Sequence, residues 1–267
     1  MTRQGPILGA RASAILIYLF LYTPIAVVIA YSFNAAKRGG PWTGFTLEWY
    51  AKLLDSPDKI SALRNTVVLA LTSTILATGI GSFLGYGMSR YDFPGRPLFS
   101  WLIYLPAVIP DVVMAIAMLM AYSLFREAFG LLQLGMGTMI LAHVTFQVPF
   151  VAIVVRSRLV GIDPSIEEAA RDLGANAWQA FRYVTLPLMR PGIFAAAALA
   201  CTLSIDDFVI SFFTSGPGAT TLPILIYSSV KRGITPDINA LSTLVVLASI
   251  VGTLCLSILR RREGTER

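Results

Sequence analysis

Six stretches of this sequence are too long and too continuously apolar for a water-soluble core. They cover residues 12–33, 67–88, 99–124, 136–155, 194–213 and 240–259. A helix rises about 1.5 Å per residue, so roughly 20 apolar residues cross a hydrocarbon layer about 30 Å thick. The runs do not alternate between polar and apolar residues, and they are much longer than a barrel strand, which excludes a β-barrel reading. Charge agrees. Asp, Glu, Lys and Arg together make up 13% of the chain, against about 25% in ordinary soluble domains. The two cysteines, Cys201 and Cys255, both lie in apolar runs, so neither a disulfide scaffold nor a Cys-rich metal site is available. The expected fold is an all-α membrane protein, one transmembrane domain over residues 1–267.

Basic residues set the expected orientation. With both termini inside, the inner side holds most of them, including Arg3, Arg11, Arg90, Arg96, Arg156, Arg158 and the run Arg260-Arg261-Arg262 directly after the last span. The outer side holds fewer, among them Lys37, Arg38, Lys52 and Lys59. The net charge of +6 is then mainly a record of topology and no sign of nucleic-acid binding. The first span has basic residues before it, but its apolar run exceeds the 7–15 residues of a signal-peptide core. It is expected to be an uncleaved helix. Trp42, Trp49 and Tyr50 suit a membrane interface in the outer loop from Asn34 to about Thr66.

The inner loop at 156–191 has its own pattern. Asp163-Pro164 is a helix start, with Asp capping free N–H groups and Pro fitting the first turn. Ile166, Ala169, Ala170 and Leu173 then fall on one face, and Gly174 can adopt the left-handed conformation that ends a helix. A second short run carries Trp178, Phe181 and Thr185, and Leu186-Pro187 is expected to end it. The pattern alone fits a loop docked on a protein partner and an amphipathic loop lying on lipid equally well.

Glu168-Ala169-Ala170, three residues, Gly174, nine residues, then Val184-Thr185-Leu186-Pro187 resembles the EAA loop of ABC-importer permeases. Val184 stands where that pattern has Ile. The six-span layout extends the resemblance over essentially the whole chain. It implies the type I ABC-importer permease fold with both termini cytoplasmic, in the cell inner membrane. It also implies that Glu168, Ala169, Ala170, Gly174, Leu186 and Pro187 form the contact with cytoplasmic ATPase subunits. The sequence contains no G-x-x-x-x-G-K-[ST] phosphate cradle, so the chain is expected to carry no cofactor, with ATP and Mg bound by the partner. The expected partners are those ATPase subunits, a second permease subunit (a copy or a paralogue), a periplasmic substrate-binding protein and the lipid membrane.

Three carboxylates lie inside spans: Asp111 in the third, and Asp206 and Asp207 in the fifth. Each costs roughly 2.5–3.5 kcal/mol at a helix centre on insertion scales. No Lys or Arg lies in any span to offset them. A cationic substrate, a base on a partner chain, or protonation would each resolve the cost. Counted along helical spans, Asp111 and Asp206 both lie about 18 Å from the inner boundary, past the midplane, so Asp111 and the Asp206–Asp207 pair are expected to form one layer. On such a helix Asp206 and Asp207 point about 100° apart, and Asp207 shares a face with Ser211 and Thr214. Asp207, Asp206, Asp111 and Ser211 are therefore the expected substrate-path residues; the competing reading has the acids bridging helices. Pro106 and Pro110 beside Asp111 either free carbonyls for a cation or only kink the helix. Gly81 and Gly85 form a small-xxx-small face for helix packing. His143, the sole histidine, is expected to be a hydrogen-bonded packing residue, and its solitude excludes a multi-His metal site.

The run Leu203-Ser204-Ile205-Asp206-Asp207-Phe208-Val209-Ile210 resembles the L-S-x-D-D-x-V-I segment of polyamine-importer permeases of the putrescine/spermidine type. Thr214-Ser215-Gly216-Pro217-Gly218-Ala219-Thr220-Thr221-Leu222-Pro223 resembles their following loop. This implies import of a polyamine by alternating access. Two other readings stay open: a permease for another cationic or small solute, and an ion-coupled secondary carrier using Asp206 and Asp207.

Overall fold

The computed structural model describes residues 5–37, 40–233 and 235–265. Arg3, Arg38 and Arg267 lie outside the described residues, and of Arg260-Arg261-Arg262 only the helical backbone is described. These residues form twelve α-helices in succession: α1 Gly5–Tyr31, α2 Glu48–Leu54, α3 Pro57–Arg90, α4 Arg96–Val108, α5 Asp111–Phe129, α6 Met136–Val160, α7 Ser165–Asp172, α8 Ala177–Ala180, α9 Leu186–Ile205, α10 Val209–Thr214, α11 Leu222–Arg232 and α12 Pro236–Thr265. Among the described residues the only strand-like pairing is one bridge between Asn34 and Phe45.

Among the described residues, five helical stretches are long and apolar enough to cross a membrane: Ser13–Tyr31, Pro57–Arg90, Asp111–Phe129, Met136–Val160 and Ala177–Ile205. The described apolar part of α12, Pro236–Val251, is shorter. With 34 residues, α3 is about 51 Å long. It begins at Pro57, so it takes up part of the stretch expected to be outer loop. Apolar side chains on α1 point outward, Phe20 being 81% exposed. In water such a surface would be untenable; in hydrocarbon it is the ordinary state.

Three expectations fail locally. The third span is not one helix. Ile109 is extended (φ −75°, ψ 133°) between α4 and α5, as a residue before proline prefers to be, and Pro110 (φ −57°, ψ 137°) precedes the first residue of α5, Asp111. The fifth span breaks at Asp206-Asp207-Phe208, between α9 and α10. Leu186-Pro187, expected to end a helix, instead lies in its path. Phe181–Thr185 form a π turn, Leu186 N–H reaches back to Phe181 O, and Pro187 takes the first turn of α9. A proline there loses no hydrogen bond.

The chain forms two compact units. One comprises residues up to Ile60 and from Leu225 onward; in it α12 packs on α1 and α2. The Trp49 indole donates to Asn34 O at 2.7 Å. The other runs from Ser61 to Ile224 and is built on α6. Val151, Val155 and Leu159 of α6 meet Met189, Ala196 and Ala200 of α9 in a fully buried cluster. The α3 face carrying Gly81 and Gly85 lies directly on α6. A Cβ on Gly81 would come 2.6 Å from Val151 Cβ, and one on Gly85 2.7 Å from Ala152 O. Glycine is what allows the two backbones to approach this closely.

Candidate functional site

Asp207 owes its position to the break in the fifth span. The 20-residue helix α9 ends at Ile205 and α10 starts at Val209. Asp207 lies in the gap and caps α10. Its Oδ1 accepts the Ile210 N–H at 3.2 Å and its Oδ2 the Ser211 N–H at 2.7 Å. A helix N-terminus has free N–H groups to offer, and an anion there satisfies them. The carboxylate thus has a physical reason to sit among apolar helices without a Lys or Arg. Its side chain is 11% exposed.

Behind it lies a buried polar cluster drawn from four helices. His143 of α6 is 2% exposed. Its Nε2 is 3.3 Å from Asp207 Oδ2 and 3.0 Å from Ser211 Oγ. Its Nδ1 is 2.8 Å from Ser204 Oγ on α9. Ser204 Oγ lies 3.2 Å from Ser73 Oγ on α3, and the Gln147 amide donates to Ser73 at 3.3 Å. Polar groups this deep are tolerated because nearly all have partners.

The other expected path residues are placed differently. Asp206 is exposed at the end of α9, where its N–H bonds Thr202 O, and its side chain makes no ion pair among the described residues. Asp111 is exposed in the first turn of α5, near the positive end of that helix, which favours its charge. Ser211 is fully buried, with its N–H on Asp207 and its hydroxyl at His143. The structure therefore joins Asp207, Ser211 and His143, and does not join Asp111 or Asp206 to them by a hydrogen bond or ion pair. The 100° separation expected on a continuous helix does not apply across a break. His143, Ser204, Ser73 and Gln147 were not expected at the site. Their signal in the sequence is a polar residue recurring inside apolar runs, which does not say which runs meet.

The loop after α6 is held by a buried ion pair. The Nε of Arg90, in the last turn of α3, donates to Glu167 Oε1 at 2.9 Å, and Arg90 NH2 donates to Ile162 O at 3.3 Å. Glu167 thus faces inward, while Glu168 and Ala169 are exposed and Ala170 is half-buried. At the start of the loop, hydrogen bonds from Ser165 hold the Asp163 carboxyl below its usual range. Gly174 adopts φ +91°, and a Cβ there would meet nothing within 4 Å. Its requirement is conformational, and the space above it is open. Leu173 and Trp178, 90% and 63% exposed, continue an apolar surface with Ile166. Leu186 and Pro187 are half-buried; Leu186 lines a cavity of about 200 Å³ with Phe83, Tyr86 and Phe181.

In the first unit, Lys59 Nζ pairs with Asp237 Oδ2 at 2.6 Å, beside a cavity of about 480 Å³ that Asp55, Asp58 and Arg232 also line. Among the described residues no three His, Cys, Asp or Glu side chains converge as metal ligands would.

Comparison with known proteins adds an independent line. Residues 77–262 match the family model for the binding-protein-dependent transport system inner membrane component. The spermidine/putrescine transport system permease protein PotC of Escherichia coli (strain K12) is 39% identical over 245 residues, 92% of this chain and 91% of that one. The putrescine transport system permease protein PotI of the same organism is 41% identical over 249 residues, 92% and 89% of the two chains. A more distant relative, 29% identical over 98% of this chain and 97% of its own, is the putative 2-aminoethylphosphonate transport system permease protein PhnV of Salmonella typhimurium (strain LT2). Among solved structures, a bacterial ABC transporter that imports the acidic polysaccharide alginate aligns over 96% of this chain and 95% of its own, with a TM-score of 0.75 and 20% identity. The last likeness concerns the fold.

Proposed function

The chain belongs to the family of binding-protein-dependent transport system inner membrane components, and from that premise we infer that Asp207 is where its cargo, a polyamine of the putrescine–spermidine class, meets the membrane pathway. The protein is a multi-pass permease subunit of an ABC importer and not an enzyme; ATP hydrolysis belongs to a partner subunit. The observation that carries the cargo reading is the capped carboxylate. Asp207 is fixed by two backbone N–H groups, stays partly exposed and has no Lys or Arg partner. An approaching cation supplies the missing counter-charge. Asp206, exposed on the adjacent turn, adds negative charge for a second amine. Asp111 extends the same acidic character from α5.

In this reading α12 completes six spans, both termini lie in the cytoplasm, and the chain resides in the inner membrane. A second permease subunit forms the other half of the pathway. A periplasmic binding protein delivers substrate, and the apolar face around Ile166, Leu173 and Trp178 docks on a cytoplasmic ATPase subunit that holds ATP and Mg. Glu168, Ala169, Ala170 and Gly174 lie on or beside that face, and Leu186 and Pro187 carry its motion into α9. ATP binding opens the pathway outward, the cation settles at the acidic site, and resetting releases it inward.

The test is uptake by the reconstituted importer with its cognate binding protein, offered labelled putrescine, spermidine and 2-aminoethylphosphonate. Polyamine uptake that the phosphonate does not compete with is the expected result. Uptake of the phosphonate with none of either polyamine refutes the cargo.

A further inference from the structure

We propose that the cavity in the first unit is a second cargo site, one that takes a linear polyamine at the outer face of the permease. The proposal rests on the polyamine reading above, and it concerns the unit that does not contain Asp207. In the orientation of that reading, the segment before α3 and the turn between α11 and α12 both lie on the outer side.

Four elements build the cavity. Asp55 follows α2, Asp58 and Lys59 lie in the first turn of α3, Ser229 and Arg232 lie on α11, and Asp237 lies in the first turn of α12. Together they line a volume of about 480 Å³, within the range of about 300–1,000 Å³ typical of small-ligand sites.

Three observations say what belongs there. The first is the sign of the charge. Lys59 Nζ is taken up by Asp237 Oδ2 at 2.6 Å. Asp55, Asp58 and Arg232 make no ion pair among the described residues, so the lining keeps two negative charges against one positive. The surplus attracts cations. The first turn of a helix tolerates acids such as Asp58 and Asp237, but that tolerance supplies no counter-ion.

The second is Ser229. It lines the cavity and is 9% exposed, and its hydroxyl has no hydrogen-bond partner among the described residues. A helical serine commonly turns its hydroxyl back onto a carbonyl of the preceding turn, as Ser228 does onto Leu225 O. Ser229 instead leaves an oxygen able to accept from a ligand N–H.

The third is the spacing of the acids. No three carboxylates converge as metal ligands would among the described residues, so Asp55, Asp58 and Asp237 stand around the cavity without meeting at a point. A metal ion needs convergent oxygens. A methylene chain with an ammonium at each end does not. Lys59 shows the fit for one such group, since its side chain is a four-carbon primary amine and donates to Asp237.

The reporter is Leu225→Cys, also at the cavity wall, in the complete importer in lipid nanodiscs. The importer without that substitution is the blank for Cys201 and Cys255. A positively charged methanethiosulfonate should label the reporter about ten-fold faster than a negatively charged one at low salt, and the ratio should shrink at 1 M salt. Putrescine and spermidine should each slow labelling by a neutral methanethiosulfonate, and magnesium at matched ionic strength should not. Asp55→Asn/Asp58→Asn should raise the polyamine concentration for half-protection about ten-fold, and Arg232→Gln should lower it. Faster labelling by the anionic reagent, labelling by neither, equal protection by magnesium, or weaker protection in Arg232→Gln would each overturn the proposal. The two readings fail separately. An importer that carries polyamines but shows no protection refutes the second site alone, whereas protection in an importer that carries none keeps this site and refutes the cargo.

Discussion

Arg90→Met is expected to leave the permease assembled but to loosen α7 from the membrane helices, so that ATP is hydrolysed without proportionate transport. The Arg90–Glu167 pair ties the end of α3 to α7 at 2.9 Å, with side chains only 11% and 10% exposed. Methionine retains the aliphatic stem and removes the charge, which leaves the Glu167 carboxylate buried without its partner. Breaking one side of a buried pair costs about 3–5 kcal/mol, largely from the stranded charge. At about 1.4 kcal/mol per factor of ten, the docked arrangement loses about a hundred-fold to several thousand-fold in population. The double variant Arg90→Met/Glu167→Met strands no charge. It forfeits only the hydrogen bonds, about 1 kcal/mol each, so it should recover most of the loss. The assay is substrate transported per ATP hydrolysed in proteoliposomes, with the melting temperature of the purified complex as a control for assembly. Normal coupling in Arg90→Met, or a double variant as damaged as the sum of the singles, would refute the reasoning.

Asp207→Asn should abolish uptake while the complex still assembles, because one carboxamide oxygen still caps α10 but the charge is gone; undiminished putrescine or spermidine uptake would count against the cargo site. Gly174→Asp should uncouple ATP hydrolysis from transport, since it forces a side chain into φ +91° at a position open above the backbone; normal ATPase stimulation by loaded binding protein would contradict this. Gly81→Ala should lower the thermal stability of the complex by about 1–3 kcal/mol through overpacking, because its Cβ meets Val151 and the Val148 carbonyl at under 3 Å; an unchanged melting temperature would show that α3 and α6 can separate freely. Burial works to raise the Asp237 carboxyl, but hydrogen bonds from Lys59 and Thr235 outweigh it and hold it below its usual range. A lowered carboxyl stabilises above its unfolded value and ceases to as pH falls through the folded one, so melting should fall more steeply with acid in the parent than in Lys59→Met; parallel curves would remove the ion pair from the argument.

The helix between Asp163 and Gly174 was readable because its signals are local. A capping Asp, a Pro at the helix start and a glycine in the left-handed region act over one or two turns. In the structure Asp163 accepts the Ser165 N–H, Pro164 is the residue just before α7 and Gly174 takes φ +91°. Gly81 and Gly85 were readable for the same reason, since a four-residue spacing of small residues marks a helix face whatever packs on it. The breaks at Ile109 and at Asp206-Asp207-Phe208 were hidden inside continuous apolar runs. Hydropathy measures transfer to lipid, and it is indifferent to whether one helix or two make the crossing. Pro187 misled in the opposite sense. A proline usually ends a helix, but a π turn ahead of it removes the hydrogen bond it would have broken.

What the sequence determined by itself is the medium and the inventory: apolar runs of membrane length and three acids without a base inside them, both of which follow from composition along the chain. The family entered by a different route, through the resemblance of the loop around Glu168 and Gly174 to a known pattern. Only the tertiary structure decided which polar residues share a site. Gln147 and Ser73 are 74 positions apart, and His143 and Ser204 are 61 apart; they meet because helices buried against one another must pair their polar groups internally. The break that frees two N–H groups for Asp207 likewise exists only in three dimensions, and it changes an apparently unsupported charge into a capped one.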